Sequence, residues 1–236
     1  MARMGVVEDV RIRDGDVLLA GDLHVPERAI GLVIFAHGSG SSRFSGRNRR
    51  VADALQRAGC ATLLIDLLTA YEEQVDTLTA EYRFDIPLLG RRVIAAADWA
   101  AGEPSVRDLR VGYFGASTGA AAALIAAANR PDVSSSVVSR GGRPDLAGPS
   151  VLRSVQAPTL LIVGGADEPV IVLNEEAMTQ MRADARLEVI PGATHLFEEP
   201  GALEEVARLA SGWFTHHFGA SSHSSTILDG VGPHEA

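Results

Sequence analysis

Apolar residues along the chain come in short runs separated by longer amphipathic stretches, a rhythm that predicts alternating strands and helices. VLLAGDLHV (17–25) alternates loosely and reads as an early antiparallel strand. GLVIFA (31–36), ATLLID (61–66), RVGYFG (110–115), VSSSVVS (133–139), TLLIVG (159–164) and LEVI (187–190) follow as further strands. The near-continuous apolar character of several of them suits strands covered on both faces. Helices are expected over 47–58, 86–101, 118–129, 174–181 and 201–217. Pro131 stops the third of these, and Gly59 and Gly102 end the first two. The predicted fold class is α/β: a mostly parallel twisted sheet with helices on both faces, one domain over residues 1–218. Residues 219–236, rich in Ser, Gly and His, are expected to form a flexible polar tail.

Composition narrows the chemistry more than the architecture. The chain has 236 residues, 46% hydrophobic and 22% charged, enough to bury a full core without a disulfide or metal staple. A net charge of −9 argues against nucleic acid or an anionic membrane as partner. All 21 basic residues are arginine, which excludes a phosphate-loop lysine, a Schiff-base lysine and a Ser-Lys dyad. Cys60 is the single cysteine, and no Cys/His set has zinc spacing, so neither a metal nor a cofactor is expected. The N-terminal stretch lacks the apolar core of a signal peptide. The longest wholly apolar run, 120–128, is far short of the roughly 18 residues of a membrane span. A soluble, cytoplasmic protein is expected, its oligomeric state open.

The sharpest chemical feature is Gly115-Ala116-Ser117-Thr118-Gly119, between a predicted strand and a predicted helix. A turn that tight forces its middle residue into a strained backbone and presents the serine hydroxyl at a helix N-terminus. The two glycines let strand and helix approach closely. Such a nucleophile needs a base. Of seven histidines, His195 follows a strand in the loop ahead of the last helix, where the catalytic edge of the sheet should lie. The acid that orients it is sought between Ser117 and His195, among Asp132, Asp145, Asp167 and Asp184. Asp132 precedes its strand and Asp184 follows a helix, which puts both at the wrong edge. Asp167 directly follows TLLIVG and is favoured, with Asp145 the runner-up. A fourth element, Ala36-His37-Gly38-Ser39-Gly40-Ser41-Ser42, follows GLVIFA and would supply one oxyanion N–H from Ser39, the other coming from Thr118.

The stretches AHGSGSS, GYFGASTG, LIVGGADEPV and PGATHLFEEPG resemble the α/β-hydrolase superfamily, and within it the dienelactone hydrolase-like branch of small enzymes with little or no cap domain. The resemblance runs from about residue 17 to 218. It implies a Ser117–His195–Asp167 triad and an oxyanion hole from Ser39 and Thr118. Dienelactone hydrolases proper carry a cysteine nucleophile where this chain has Ser117. Similar hydrolase domains are sometimes joined to phosphoribosyltransferase domains, which nothing here resembles.

The function expected is therefore cleavage of a small carboxylic ester by a carboxylesterase-like serine hydrolase, through an acyl-enzyme. Thioesterase, acyltransferase or peptidase activity would use the same residues, and a catalytically inactive binding module is the reading from another class. Two arginine features are candidate contacts to an anionic substrate. One is Arg43, in a cluster with Arg47, Arg49 and Arg50; a solvated helix face is its alternative. The other is Arg140, leaving a strand at the catalytic edge, with an internal salt bridge as its alternative. Only 19 residues separate 139 from 159, where larger relatives insert caps, so an open site for short acyl chains is expected.

Overall fold

In a computed structural model, residues 7–219 are described. They build an eight-stranded sheet: β1 (Val7–Asp14), β2 (Val17–His24), β3 (Leu32–Ala36), β4 (Ala61–Ile65), β5 (Val111–Ala116), β6 (Ser134–Arg140), β7 (Thr159–Gly164) and β8 (Ala185–Ile190). The spatial order is β1-β2-β4-β3-β5-β6-β7-β8. β1 and β2 pair antiparallel, β2 runs antiparallel to β4, and all later neighbours are parallel. This is the α/β-hydrolase fold.

Every residue of β3, β4, β5 and β7 is buried, which explains their unbroken apolar runs. Helices α1 (Gly46–Arg57) and α7 (Ala202–Gly219) cover one face. The other is covered by α3 (Ile86–Gly102) and α4 (Thr118–Asn129). Cys60 lies in the first of these layers, and burial pushes its thiol up to about 12, so it serves as a small core side chain.

Four elements depart from the expectation. β1 pairs with β2 through a tight hairpin at Gly15, although only Ile12 of its eight residues is buried. Its alternating apolar residues are outnumbered by charges, so the period-2 pattern is masked. Helix α2 (Ala70–Thr79) is closed by a capping box between Thr69 and Glu72, a signal present in the sequence. A short α5 (Pro149–Ser154) follows a 3₁₀ turn at Pro144–Ala147. Helix α6 (Glu168–Gln180) begins six residues before the expected position, since Pro169 occupies its first turn, where proline is tolerated. Of the predicted polar tail, Gly219 instead ends α7, and residues 220–236 lie outside the described residues. Among the described residues, no helix is long and apolar enough to cross a membrane.

Arg92 of α3 fastens α2 to the body of the fold. Its side chain, 2% exposed, donates to both Glu72 carboxylate oxygens (2.6 and 2.8 Å) and to the Leu67 carbonyl (2.5 Å), with Asp14 of β1 at 3.5 Å. Replacing it leaves the Glu72 carboxylate facing no cation, while Asp14 keeps its pair with Arg91. Arg92→Met is expected to lose about 3 kcal/mol of unfolding free energy, the low end for a broken buried pair because Glu72 keeps its cap bond. A urea titration measures this, and a loss below about 1 kcal/mol would reduce the pair to surface behaviour.

Candidate active site

Ser117 sits between β5 and α4 with φ +51° and ψ −123°, a conformation side chains rarely adopt and one worth roughly 1–3 kcal/mol of strain. Two close approaches impose it. A Cβ at Gly115 would lie 2.4 Å from the Ala120 Cα, and one at Gly119 would lie 2.2 Å from the Ala36 carbonyl oxygen. Strand, helix and the loop after β3 therefore meet with no side chain between them. The Ser117 backbone N–H donates to the Arg140 carbonyl (3.2 Å), and its carbonyl accepts from the N–H groups of Ala120 and Arg143 (3.0 and 3.1 Å).

His195 Nδ1 and Asp167 Oδ2 are 2.7 Å apart. Asp167 follows β7 and caps the entry to α6, while His195 follows β8. The two loops are pressed together: the Gly165 and Ala166 N–H groups donate to the Ile190 and Ala193 carbonyls (2.8 and 2.9 Å). At Gly164 a Cβ would meet the Ala193 oxygen at 2.3 Å. Asp145, the other acid considered, is instead held by Arg143 through two bonds of 2.8 and 2.7 Å. Ser117 and His195 line one cavity of about 200 Å³, bounded by Gly38, Ser39 and the first turn of α1. No hydrogen bond joins their side chains among the described residues; such contacts often tighten only when substrate is bound.

The loop after β3 closes over Ser117, since a Cβ at Gly38 would lie 3.0 Å from the Ser117 Cβ. Ser39 and Thr118, the two residues expected to supply oxyanion donors, are neighbours, with their hydroxyls 3.0 Å apart. Ser39 Oγ also donates to the Arg83 carbonyl at 3.2 Å, linking this loop to the chain after α2. His37 is buried, and its Nε2 accepts from the Leu67 N–H (2.9 Å). Its Nδ1 then carries the proton toward the Gly38 carbonyl (2.9 Å). Burial lowers its pKa against the opposing pull of Gly38 and Asp66, so the ring stays neutral.

The two candidate arginines part company. Arg43 is engaged by carboxylates of the protein itself. Its Nε donates to Asp22 (3.0 Å), its NH1 pairs with Asp66, and its backbone N–H donates to Asp66 (2.7 Å). Burial disfavours its charge, yet Asp66 and Asp22 more than offset that and raise its pKa. Arg49 shares Asp22, while Arg47 and Arg50 pair with Glu198 and Glu204. Arg140 does line the cavity with Ser117 and His195, and the internal salt bridge weighed for it is not formed among the described residues. Sequence reading missed Glu199, which accepts from the Thr194 N–H (3.0 Å) and hydroxyl (2.6 Å) and so ties down the residue before His195. It also missed Asn48, buried in the first turn of α1 at the cavity wall. Neither carries a motif that marks it.

Comparison with known proteins agrees with this fold. A family model described as the dienelactone hydrolase family matches residues 17–217. A crystal structure of a dienelactone hydrolase from Anabaena variabilis is 58% identical, superposes with a TM-score of 0.89, and is covered to 99% by 91% of this chain. Est1E from Butyrivibrio proteoclasticus, 17% identical, shares the fold with a TM-score of 0.73 over 89% of this chain and 98% of its own. A Mycobacterium tuberculosis protein provisionally named a phosphoribosyl transferase is 57% identical over 210 residues, 89% of this chain and 46% of its own length. The chain thus spans about half the length of the curated relatives it matches most fully. From residue 17 to residue 217, with the serine elbow at its centre, the chain belongs to the dienelactone hydrolase family.

Proposed function

We propose that the chain is a serine hydrolase that cleaves small carboxylic esters through an acyl-enzyme. The observation that carries this is the placing of Ser117, on its strained elbow, in one cavity with a His195 already bonded to Asp167. In the reaction, His195 Nε2 takes the proton from Ser117 Oγ as the oxygen attacks the ester carbonyl. Asp167 holds the Nδ1–H tautomer and stabilises the imidazolium that forms. The oxyanion is received by the N–H groups of Ser39 and Thr118, and the alcohol leaves with the proton from His195. Water, activated by the same imidazole, then releases the acid and restores Ser117. The longer relative's transferase name is accommodated by the half of its length that this chain does not match.

Substrate size follows from the site's cover. Between β6 and β7 lie only the 3₁₀ turn and α5, and between β4 and α3 only α2, so among the described residues no lid domain spans the cavity. A 200 Å³ hollow suits a compact acyl group.

The proposal is tested first with a fluorophosphonate probe, which is expected to label wild-type protein at Ser117 and leave Ser117→Ala unlabelled. Labelling elsewhere would reassign the nucleophile. Asp167→Asn is expected to lower kcat by about 10⁴-fold through the wrong imidazole tautomer, while Asp145→Asn stays within a few-fold of wild type. The reverse ranking would place the acid after β6. Across p-nitrophenyl esters, rates should be highest from acetate to butyrate and fall with chain length, with no jump above the solubility limit. A maximum at long acyl chains would contradict an uncapped site.

A further inference from the structure

The two edges of the sheet are built differently. At one, β1 carries Glu8, Asp9, Arg11, Arg13 and Asp14 among its eight residues, and crowded charge of this kind keeps an edge strand from pairing. At the other, β8 (ARLEVI) has neither proline nor bulge, and only Arg186 and Glu188 are charged. Its ladder with β7 is regular from Ala185 to Ile190. The Asp184 carbonyl accepts from the Thr159 N–H (2.9 Å) and the Ile190 carbonyl from the Gly165 N–H (2.8 Å). Main-chain direction alternates along a strand, so the even-numbered residues face β7. The N–H and C=O groups of Ala185, Leu187 and Val189 then face outward. Beyond the β7 ladder, no hydrogen bond among the described residues reaches them.

The side chains sort by the same parity. Arg186 and Glu188 border a groove with Leu209 and Trp213 of α7, on the face where Ile190 is buried. Leu187 and Val189 lie on the opposite face, Leu187 half-buried and Val189 41% exposed. Arg186 and Glu188 pair with each other within the chain, with side chains 65% and 27% exposed. β8 thus offers outward hydrogen-bonding groups, an apolar face and two opposite charges placed evenly about Leu187.

Such a strand complements itself. With a second copy laid antiparallel about a two-fold axis at Leu187, Leu187 meets its own counterpart, Ala185 meets Val189, and Arg186 meets Glu188. The outward-facing residues become the hydrogen-bonded pairs. Arg186 and Glu188 fall in the narrow positions between them, where opposed side chains come closest. A slip of one residue would oppose outward groups to groups already used by β7. The neighbouring registers of permitted parity would oppose Arg186 to Arg186 or Glu188 to Glu188. Hydrogen-bond parity and charge therefore select the same register.

We propose that β8 is a homodimer surface, on which two copies of the chain join edge to edge into one continuous sheet. Leu187 lies on the two-fold axis, and an Arg186–Glu188 pair forms on each side of it, an isologous contact that closes on itself. The antiparallel joint sends the two His195 loops, which follow β8, to opposite ends, so neither catalytic corner faces the other. The proposal is independent of the ester-cleaving reading.

Sedimentation velocity of the full chain, in a dilution series from tens of micromolar downward, should show a species of twice the mass of one chain in equilibrium with monomer. Arg186→Glu opposes like charges at both cross-strand pairs and should raise the dimer Kd by about 10- to 100-fold, as should Glu188→Arg. Two rescues follow from the register. Combining the two exchanges in one chain opposes unlike charges again and should return Kd to within a few-fold of wild type. An equimolar mixture of the two single variants should form a heterodimer, each chain supplying the charge that the other lacks. A wild-type chain that stays monomeric throughout the series overturns the proposal, whatever else occupies the edge. A dimer indifferent to both single exchanges also overturns it, since the interface would lie elsewhere. So does loss of the dimer without recovery in the double variant or the mixture, which would make the two charges structural.

Discussion

The structure turns on one steric constraint: three pieces of backbone pass one another at Ser117 with no side chain between them. β5 arrives, α4 leaves, and the loop after β3 lies across the junction, so that Cβ atoms at Gly115 and Gly119 would penetrate neighbouring main chain. Ser117 takes a positive φ because the surrounding elements leave it no other path. That strain is supported by the buried strands β3, β5 and β6, whose pairing fixes the positions of the Ala36, Ser117 and Arg140 backbones. The Ser117 hydroxyl, the neighbouring Ser39 loop and the buried arginine are thus set by one packing solution rather than by separate loops.

The second pair of loops is coupled in the same way. Main-chain bonds between 165–166 and 190–193 join the end of β7 to the end of β8, so Asp167 and His195 move as parts of one corner. Glu199 then closes the His195 loop from its far side. The Phe197 backbone has φ +56°, and its ring is buried in the α1–α7 layer. The loop carrying the imidazole is thus fixed by main-chain bonds on one side and by a packed aromatic two residues on, with His195 lining the cavity.

Much of this was legible in the sequence because the relevant signals are local. A glycine-flanked serine between an apolar strand and an alanine-rich helix needs no long-range information, and neither does an aspartate directly after a buried strand. What was not legible depends on contacts distant in the chain. β1 becomes a strand by pairing with β2, with one buried residue to mark it. α2 is short and polar, and is fixed by Arg92 twenty residues further on. The arginine-rich stretch after Ser42 read as a possible anion site because its partners, Asp22 and Asp66, come from other elements. Asp167 and Asp145 were ranked by strand edge alone. Only the three-dimensional arrangement shows one bonded to His195 and the other to Arg143.

The Ser39 hydroxyl has a single proton, and it is directed to the Arg83 carbonyl. The 3.0 Å contact with Thr118 must then carry the Thr118 proton toward Ser39, giving a one-way relay from α4 through the loop after β3 to the chain beyond α2. Reversal is blocked at the far end, because a carbonyl has no proton to return. The cover over the site and the floor beneath it are consequently polarised in the same sense. Any movement of the Arg83 backbone is felt at Thr118 as the loss of an acceptor two bonds away, so the placing of the chain after α2 is coupled to the immediate neighbour of Ser117.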